Sequence, residues 1–179
     1  MTEPDQLNAL LKKIEDFKEK DKIDLSSKED LGVAVMNLIS IEEHLFYTYE
    51  KTGKETYLSL LHDIREMRKK YLAQIVKNPE GEIWCISKHL LASSMRFMEV
   101  ATKKLTENKK DEAKDLFDKA YDLWNIFWGI NLNLLDLKDV PAREETNAGQ
   151  SINLTKEKKI SVFDNLGKAV QKILDCCRE

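Results

Sequence analysis

Four long segments of this chain carry apolar residues at every third or fourth position, and short breaks divide the segments into two pairs. The break within the first pair falls at Thr52-Gly53, where glycine can take the left-handed conformation that ends a helix. Residues 78–81 (NPEG) form a strong stop between the pairs. Asn108 and Asp111 offer a cap for the fourth long segment, whose apolar spacing predicts a helix that continues through Leu134 and Leu135. This spacing predicts four amphipathic helices, and the short breaks predict that each pair is antiparallel.

The chain is therefore expected to be all-α, with two αα-hairpins in residues 26–140 arranged as an antiparallel four-helix bundle. The six Gly and three Pro residues are too few for a β protein with many tight turns. An additional N-terminal amphipathic helix is predicted in residues 1–22. A C-terminal one is predicted in residues 161–177 and is expected to pack on the core. Residues 141–160 between them are interpreted as a linker, because their first half is small and polar.

The two predicted hairpins share one apolar template. Shifting the first pair of segments by 56 residues places it on the second pair, with breaks of matching length but low residue identity. The shift places Ala34 on Leu90, Ile41 on Phe97, Leu45 on Ala101, Tyr57 on Ala113 and Met67 on Leu123. The pattern is typical both of a duplicated hairpin and of two unrelated hairpins with similar turns, and the sequence leaves the two origins open.

Part of the second hairpin resembles a single tetratricopeptide repeat. Ala113, Phe117 and Ala120 match the small-large-small pattern of the second helix of that repeat. The resemblance covers roughly 30 residues, and a repeat array would recur at about 34 residues and not at the shift seen here. Lys104 also stands where the pattern places an aromatic residue. We interpret the match as convergence on good packing within a helical hairpin.

The charge of the chain does not favour a nucleic acid partner. Its 29 Lys and Arg residues and 32 Asp and Glu residues give a formal net charge of −3. Polyanion binding would need a local basic stripe. Arg65, Arg68, Lys69 and Lys70 form a small basic cluster, but Glu66 interrupts it. Weak RNA binding is kept as an alternative, and a solvated helix face is the preferred interpretation.

The cellular location is expected to be cytoplasmic. The first residues, MTEPD, are acidic and lack the basic start and apolar run of a signal peptide. No segment approaches the roughly 18 uninterrupted apolar residues of a membrane span, so no membrane partner is expected. The three cysteines, Cys85, Cys176 and Cys177, are an odd number, which is typical of free thiols in a reducing compartment.

Cys85 and His89 are the candidate metal ligands. Four residues apart on one helix, their side chains point the same way, and a thiolate with an imidazole suits zinc. A zinc site needs further ligands, for which the soft candidates are His44, His62, Cys176 and Cys177. The alternative is a polar stripe that continues from this pair to Arg96 and Glu99 and faces solvent or a partner. A di-iron centre is excluded, since no Glu-x-x-His motif occurs.

Glu42 and Arg68 fall on the apolar faces of the first two long helices. In an antiparallel hairpin joined near Gly53, the two residues differ in height by about one helical turn. Because an unpaired buried charge is costly, we expect Arg68 to reach Glu42. The pair is interpreted first as structural, and secondarily as a polar feature inside a pocket.

Tyr121, Trp124, Trp128 and Leu132 form an aromatic arc on the fourth long segment. The arc makes the predicted helix apolar around half of its circumference. Either a terminal helix covers this arc, or it lines a protein-binding groove. The preferred function is therefore a protein–protein interaction or regulatory module that binds another protein or itself as a homo-oligomer. The alternative is a metal-binding protein or an enzyme that uses a site formed by Cys85 and His89. No catalytic residue and no required cofactor can be named, and zinc is the one candidate ion.

Overall fold

The computed structural model describes residues 8, 9, 11–13, 25–76, 82–135, 166, 167 and 170. Within these ranges four helices follow one another: α1 is Leu25–Thr52, α2 is Glu55–Ile75, α3 is Glu82–Thr106 and α4 is Lys110–Asn131. The all-α prediction is confirmed for the described residues, which contain no strand. None of their helices is both long and apolar enough to cross a membrane. The predicted linker, and most of the two predicted terminal helices, lie outside the described residues.

The turn of the first hairpin follows the glycine signal in the sequence. Gly53 has a φ of 64°, and its N–H donates to the carbonyl of Tyr49 at 2.7 Å. This is the single-bond αL termination of a helix, for which glycine carries no steric cost. After Lys54 the chain reverses into α2, so α1 and α2 form the antiparallel first hairpin.

The turn of the second hairpin uses asparagine in the same role, which corrects the assignment of Asn108 as a cap for the helix that follows. Asn108 has a φ of 59° and its N–H donates to the carbonyl of Leu105, while the N–H of Lys109 donates to the carbonyl of Lys104. These two bonds make a Schellman motif that ends α3. The N-cap of α4 is Lys109, which makes no side-chain capping bond.

The end of α4 also differs from the sequence expectation, which extended this helix through Leu134 and Leu135. The helix ends at Asn131, and Asn133 takes a left-handed φ of 55°. The N–H of Leu134 donates to the carbonyl of Gly129 at 2.8 Å, completing another Schellman motif. The motif turns Leu134 back into the core, where it is buried. Apolar spacing alone does not distinguish a helix that continues through Leu134 from the observed turn, because an apolar residue is expected at this position in either case.

The core lies at the end of the molecule where α1 and α3 begin and α2 and α4 end. All four helices contribute fully or almost fully buried side chains to it: Val35, Met36, Leu72, Ile75, Val76, Leu91, Phe127 and Trp128. Phe127 and Trp128 meet edge to face with ring centroids 5.1 Å apart. This apolar cluster joins the two hairpins.

Residues from both termini join the same cluster. Leu166 and Val170 are each 1% exposed, and Leu11 packs against the cluster from outside. Leu166 and Leu135 approach Gly129 so closely that a Cβ atom there would lie 3.0 Å and 2.9 Å from their methyl carbons. Described residues of the C-terminal segment therefore cover the end of α4.

Toward the two turns the hairpins share much less. Each hairpin packs closely within itself, and contact between hairpins is made chiefly by α1 with α3. Many large apolar side chains consequently stay exposed: Ile41, Phe46, Tyr47, Leu60, Met67, Phe97, Val100 and Leu105. A four-helix bundle packed along its whole length would bury such residues, so the bundle arrangement is not confirmed.

The tryptophan side chains of α4 approach the backbone of α1 closely because residue 32 is glycine. A Cβ atom at this position would lie 3.0 Å from Cη2 of Trp124 and 3.5 Å from Cζ2 of Trp128. We expect Gly32→Val to lower the free energy of unfolding by about 1–3 kcal/mol through overpacking, measured by urea denaturation. The control is Ala34→Val on the exposed side of the same helix. Equal effects of the two substitutions would contradict this account of the contact.

Candidate binding sites between the hairpins

A buried ion pair holds the first hairpin together. Arg68 on α2 donates from Nε to Oε1 of Glu42 on α1 at 2.6 Å, and from Nη2 to Oε2 at 3.2 Å. The side chains are 4% and 16% exposed. This two-point contact matches the planar guanidinium to the carboxylate and satisfies both charges. The pair spans the hairpin as the sequence suggests, and its position within one hairpin supports the structural interpretation.

The second hairpin fills the equivalent position with apolar side chains. The bounds of α1 and α2, shifted by 56 residues, fall within two residues of those of α3 and α4. The same shift places Glu42 on Met98 and Arg68 on Trp124. Met98 and Trp124 both line an open cavity. An ion pair thus closes one hairpin at the level where the other presents apolar surface.

This cavity, which we call the trough, has a volume of about 580 Å³ and is walled by α1, α3 and α4. The lining side chains are Glu29, Val33, Met36 and Asn37 from α1, Ser94, Met95 and Met98 from α3, and Phe117, Ala120, Tyr121 and Trp124 from α4. The trough is therefore a largely apolar site with a few polar groups at its edges.

Two short side chains, those of Ser94 on α3 and Ala120 on α4, set the depth of the trough. Ser94 is buried and donates from Oγ to the carbonyl of Ala120 at 2.8 Å, which draws α3 and α4 together where both side chains are short. Larger residues, Met98 and Tyr121, rise on either side and are 40% and 45% exposed. The result is a concave apolar surface, which is typical of a ligand or partner site.

The aromatic arc divides between the core and the trough. Trp128 and Leu132 are 1% and 5% exposed, so they belong to the core. Tyr121 and Trp124 line the trough. The sequence left covering by a terminal helix and a protein-binding groove as alternatives. Trp128 and Leu132 lie in one cluster with Leu166 and Val170 of the C-terminal segment, and protein binding by the rest of the arc stays a prediction.

A second cavity of about 340 Å³, which we call the joint cavity, lies where α1 meets α3. Its lining comes from both hairpins: Ile39, Ser40 and Glu43 from α1, Ala92, Ser93, Arg96, Phe97 and Val100 from α3, and Leu116 from α4. At 100° per residue, Phe97 and Val100 lie on the opposite side of α3 from Met95 and Met98. The joint cavity and the trough therefore flank α3 on two sides.

Arg96 connects the hairpins at the joint cavity. Its guanidinium donates to Glu99 on its own helix at 2.5 Å and to Glu43 on α1. These hydrogen bonds, that to Glu43 first, raise the pKa of Arg96 above its ordinary value against a smaller opposing effect of burial. The predicted polar stripe of Arg96 and Glu99 is thus a contact between hairpins in this half of α3.

Glu43 is the member of this contact that sequence reasoning missed. The repeat shift contained the signal, since it places Ser40 on Arg96 and Glu43 on Glu99. Equivalent faces of α1 and α3 therefore meet, as in a pair of elements related by an approximate two-fold axis. Comparing the polar positions of the two segments, and not only their apolar ones, would have suggested it.

Cys85 and His89 are both exposed, about three and two turns before Arg96 on α3. Within the part of the chain that the structure describes, no group of three or more His, Cys, Asp and Glu residues is placed to hold a metal ion. Cys176 and Cys177 lie outside that part. Zinc binding at Cys85 and His89 stays a prediction.

The Glu42–Arg68 pair generates a double-mutant cycle. We expect Arg68→Met alone to destabilise the protein by about 3–5 kcal/mol, because it leaves Glu42 without its partner. Glu42→Leu combined with Arg68→Met should be clearly less destabilising than Arg68→Met alone, as measured by urea denaturation. Additive losses in the double variant would show that the two side chains do not act as a pair.

Arg96 generates a prediction about the spread of the hairpins. In a cysteine-free background, spin labels at positions 51 and 110 report the distance between the turns of the two hairpins. Arg96→Ala should broaden the distribution of this distance, because it removes a contact between the hairpins that lies between the core and the turns. Stability should fall by no more than about 1 kcal/mol, since the ion pair is partly exposed. Lys104→Ala, which removes a bond to Glu112 within the second hairpin, is the control. A broadening no larger than that of the control would refute the role of Arg96.

No protein-family model, curated protein or solved structure matches this chain. The trough and the joint cavity are therefore the features from which we infer a function. Both are formed by described residues, and both lie where the two hairpins meet.

Proposed function

We propose that this chain is a protein-interaction module that binds an amphipathic helix of a partner protein in the trough. The observation that carries the proposal is the site itself, a largely apolar cavity walled by α1, α3 and α4. A helix laid there would complete a local group of four packed helices. Helix-in-groove binding is a recurrent mode of protein recognition.

The length of the trough fits the spacing of apolar residues on a helix. From Glu29 to Asn37 the α1 wall rises about 12 Å, and from Phe117 to Trp124 the α4 wall rises about 10.5 Å. An amphipathic helix presents its apolar residues at i, i+3 or i+4, and i+7, a span of about 10.5 Å. Three anchoring side chains of a partner helix would therefore fit within the site.

The composition of the trough also supports a protein partner. Met36, Met95 and Met98 have flexible, polarisable side chains that repack around different apolar shapes. Trp124 and Tyr121 supply large, rigid contact area of the kind that dominates binding energy at interfaces. A surface that combines the two favours an apolar helix face over a small polar ligand.

The location that fits this proposal is the cytoplasm. Cys85 is a free, exposed thiol, as expected in a reducing compartment. The formal charge of −3 and the mixed surface charges are consistent with a protein partner and not with a polyanion.

A displayed library of helical peptides tests the proposal. Selection on the wild-type protein alone should enrich peptides with apolar residues at i, i+3 or i+4, and i+7. We expect Met98→Glu to weaken binding of the selected peptides at least about tenfold, because it puts a charge in the apolar site. Isothermal titration calorimetry with the synthetic peptides gives the dissociation constants.

Leu105→Glu is the matched control, since Leu105 lies on the same helix, is 46% exposed and does not line the trough. It should leave peptide binding unchanged. Peptides that bind both variants equally, or that lack the apolar spacing, would refute the trough as a helix site. Sedimentation of the free protein as a dimer that Met98→Glu dissociates would replace the partner helix with a second copy of this chain.

A further inference from the structure

The joint cavity combines a polar corner with an apolar wall. Ser40 and Glu43 on α1 face Ser93 and Arg96 on α3, so polar groups from both hairpins converge at one corner. The opposite wall is apolar and consists of Ile39, Ala92, Phe97, Val100 and Leu116. Small-molecule sites have this composition, with a few polar groups that orient a ligand and apolar surface that holds it.

The size and position of the cavity fit a small ligand. Its volume of about 340 Å³ lies at the lower end of the roughly 300–1,000 Å³ typical of ligand sites. Such sites are found preferentially between the helices of bundles and where two units meet. Phe97 and Val100 are 38% and 42% exposed, so apolar surface at the mouth is open to a ligand.

The charges at the polar corner select the sign of that ligand. The guanidinium of Arg96 is bound to the carboxylates of both Glu43 and Glu99. One guanidinium therefore pairs with two carboxylates, and the three side chains together carry a net charge of −1. An anionic ligand would add to this net negative charge, whereas a cation would offset it and can donate a hydrogen bond to Glu43 while both contacts of Arg96 stay in place.

We propose that the joint cavity binds a small organic cation, a protonated amine carried on an apolar body. The ammonium group donates hydrogen bonds to Glu43 and to the hydroxyl groups of Ser40 and Ser93. The apolar body lies against Phe97, Val100 and Leu116. This site is separate from the trough, on the other side of α3, and does not depend on helix binding there.

A matched pair of probes tests the charge selection. Phenethylamine and 3-phenylpropanoate have the same phenyl group and two-carbon spacer, and they differ in carrying an ammonium or a carboxylate. In ¹⁵N-labelled protein at low ionic strength, phenethylamine should produce saturable shifts at Ser40, Ser93 and Val100. The expected dissociation constant is in the millimolar range, as for other ligands of about nine non-hydrogen atoms. The carboxylate should produce no saturable shift at these positions.

Two variants and one control distinguish the effect of the charge of Glu43 from the effect of the cavity volume. Glu43→Gln keeps the shape of the corner and should weaken phenethylamine binding several-fold. Ala92→Phe should abolish binding by filling the cavity with no change of charge. Glu112→Gln removes the carboxylate that pairs with Lys104 at the far turn of the second hairpin and should change nothing. Thermal unfolding verifies that each variant is folded.

Several outcomes would overturn the proposal. These are equal binding of the amine and the acid, saturable shifts confined to residues outside the joint cavity, no saturable shift in the folded wild-type protein, and amine binding unaffected by Ala92→Phe. If Ala92→Phe does not fold, Glu43→Gln decides alone, and unchanged amine affinity in that variant refutes the role of the corner.

Discussion

Packing of the tryptophans of α4 against α1 is the contact on which the rest of the structure depends. Gly32 leaves room for Trp124 and Trp128 to approach the backbone of α1. Trp128 then completes a core with Phe127, to which all four helices contribute. Since the core lies at one end of the molecule, it fixes the hairpins there and leaves their turns apart. The trough and the joint cavity both follow from that geometry.

The two hairpins show how one backbone plan can give different surfaces. Each ends its first helix with a left-handed residue, Gly53 or Asn108, and their helices match in bounds after one shift. They differ in what fills the space between their helices. In the first hairpin Arg68 crosses to Glu42, and the gap is closed. In the second, Met98 and Trp124 take those positions and line the open trough.

The sequence predicted the local structure of each hairpin better than the contacts between the two hairpins. Helix spacing and Gly53 predicted the first hairpin because their causes lie within a few residues. The role of Asn108 and the end of α4 were assigned wrongly, since asparagine is compatible both with a cap and with a left-handed termination. The contact of Arg96 with Glu43 was missed, because it joins residues 53 positions apart on different hairpins.

The sequence by itself determined that this is a helical protein, where most of its helices begin and end, and that Glu42 and Arg68 lie on facing sides of one hairpin. Periodicity and termination signals are local, so they can be read along the chain. The tertiary structure alone decided which part of the aromatic arc is buried. Trp128 and Leu132 lie inside the cluster to which all four helices and C-terminal residues contribute, whereas Trp124 packs at the edge of that cluster and Tyr121 stays exposed. Burial depends on such neighbours, which only the tertiary structure brings together.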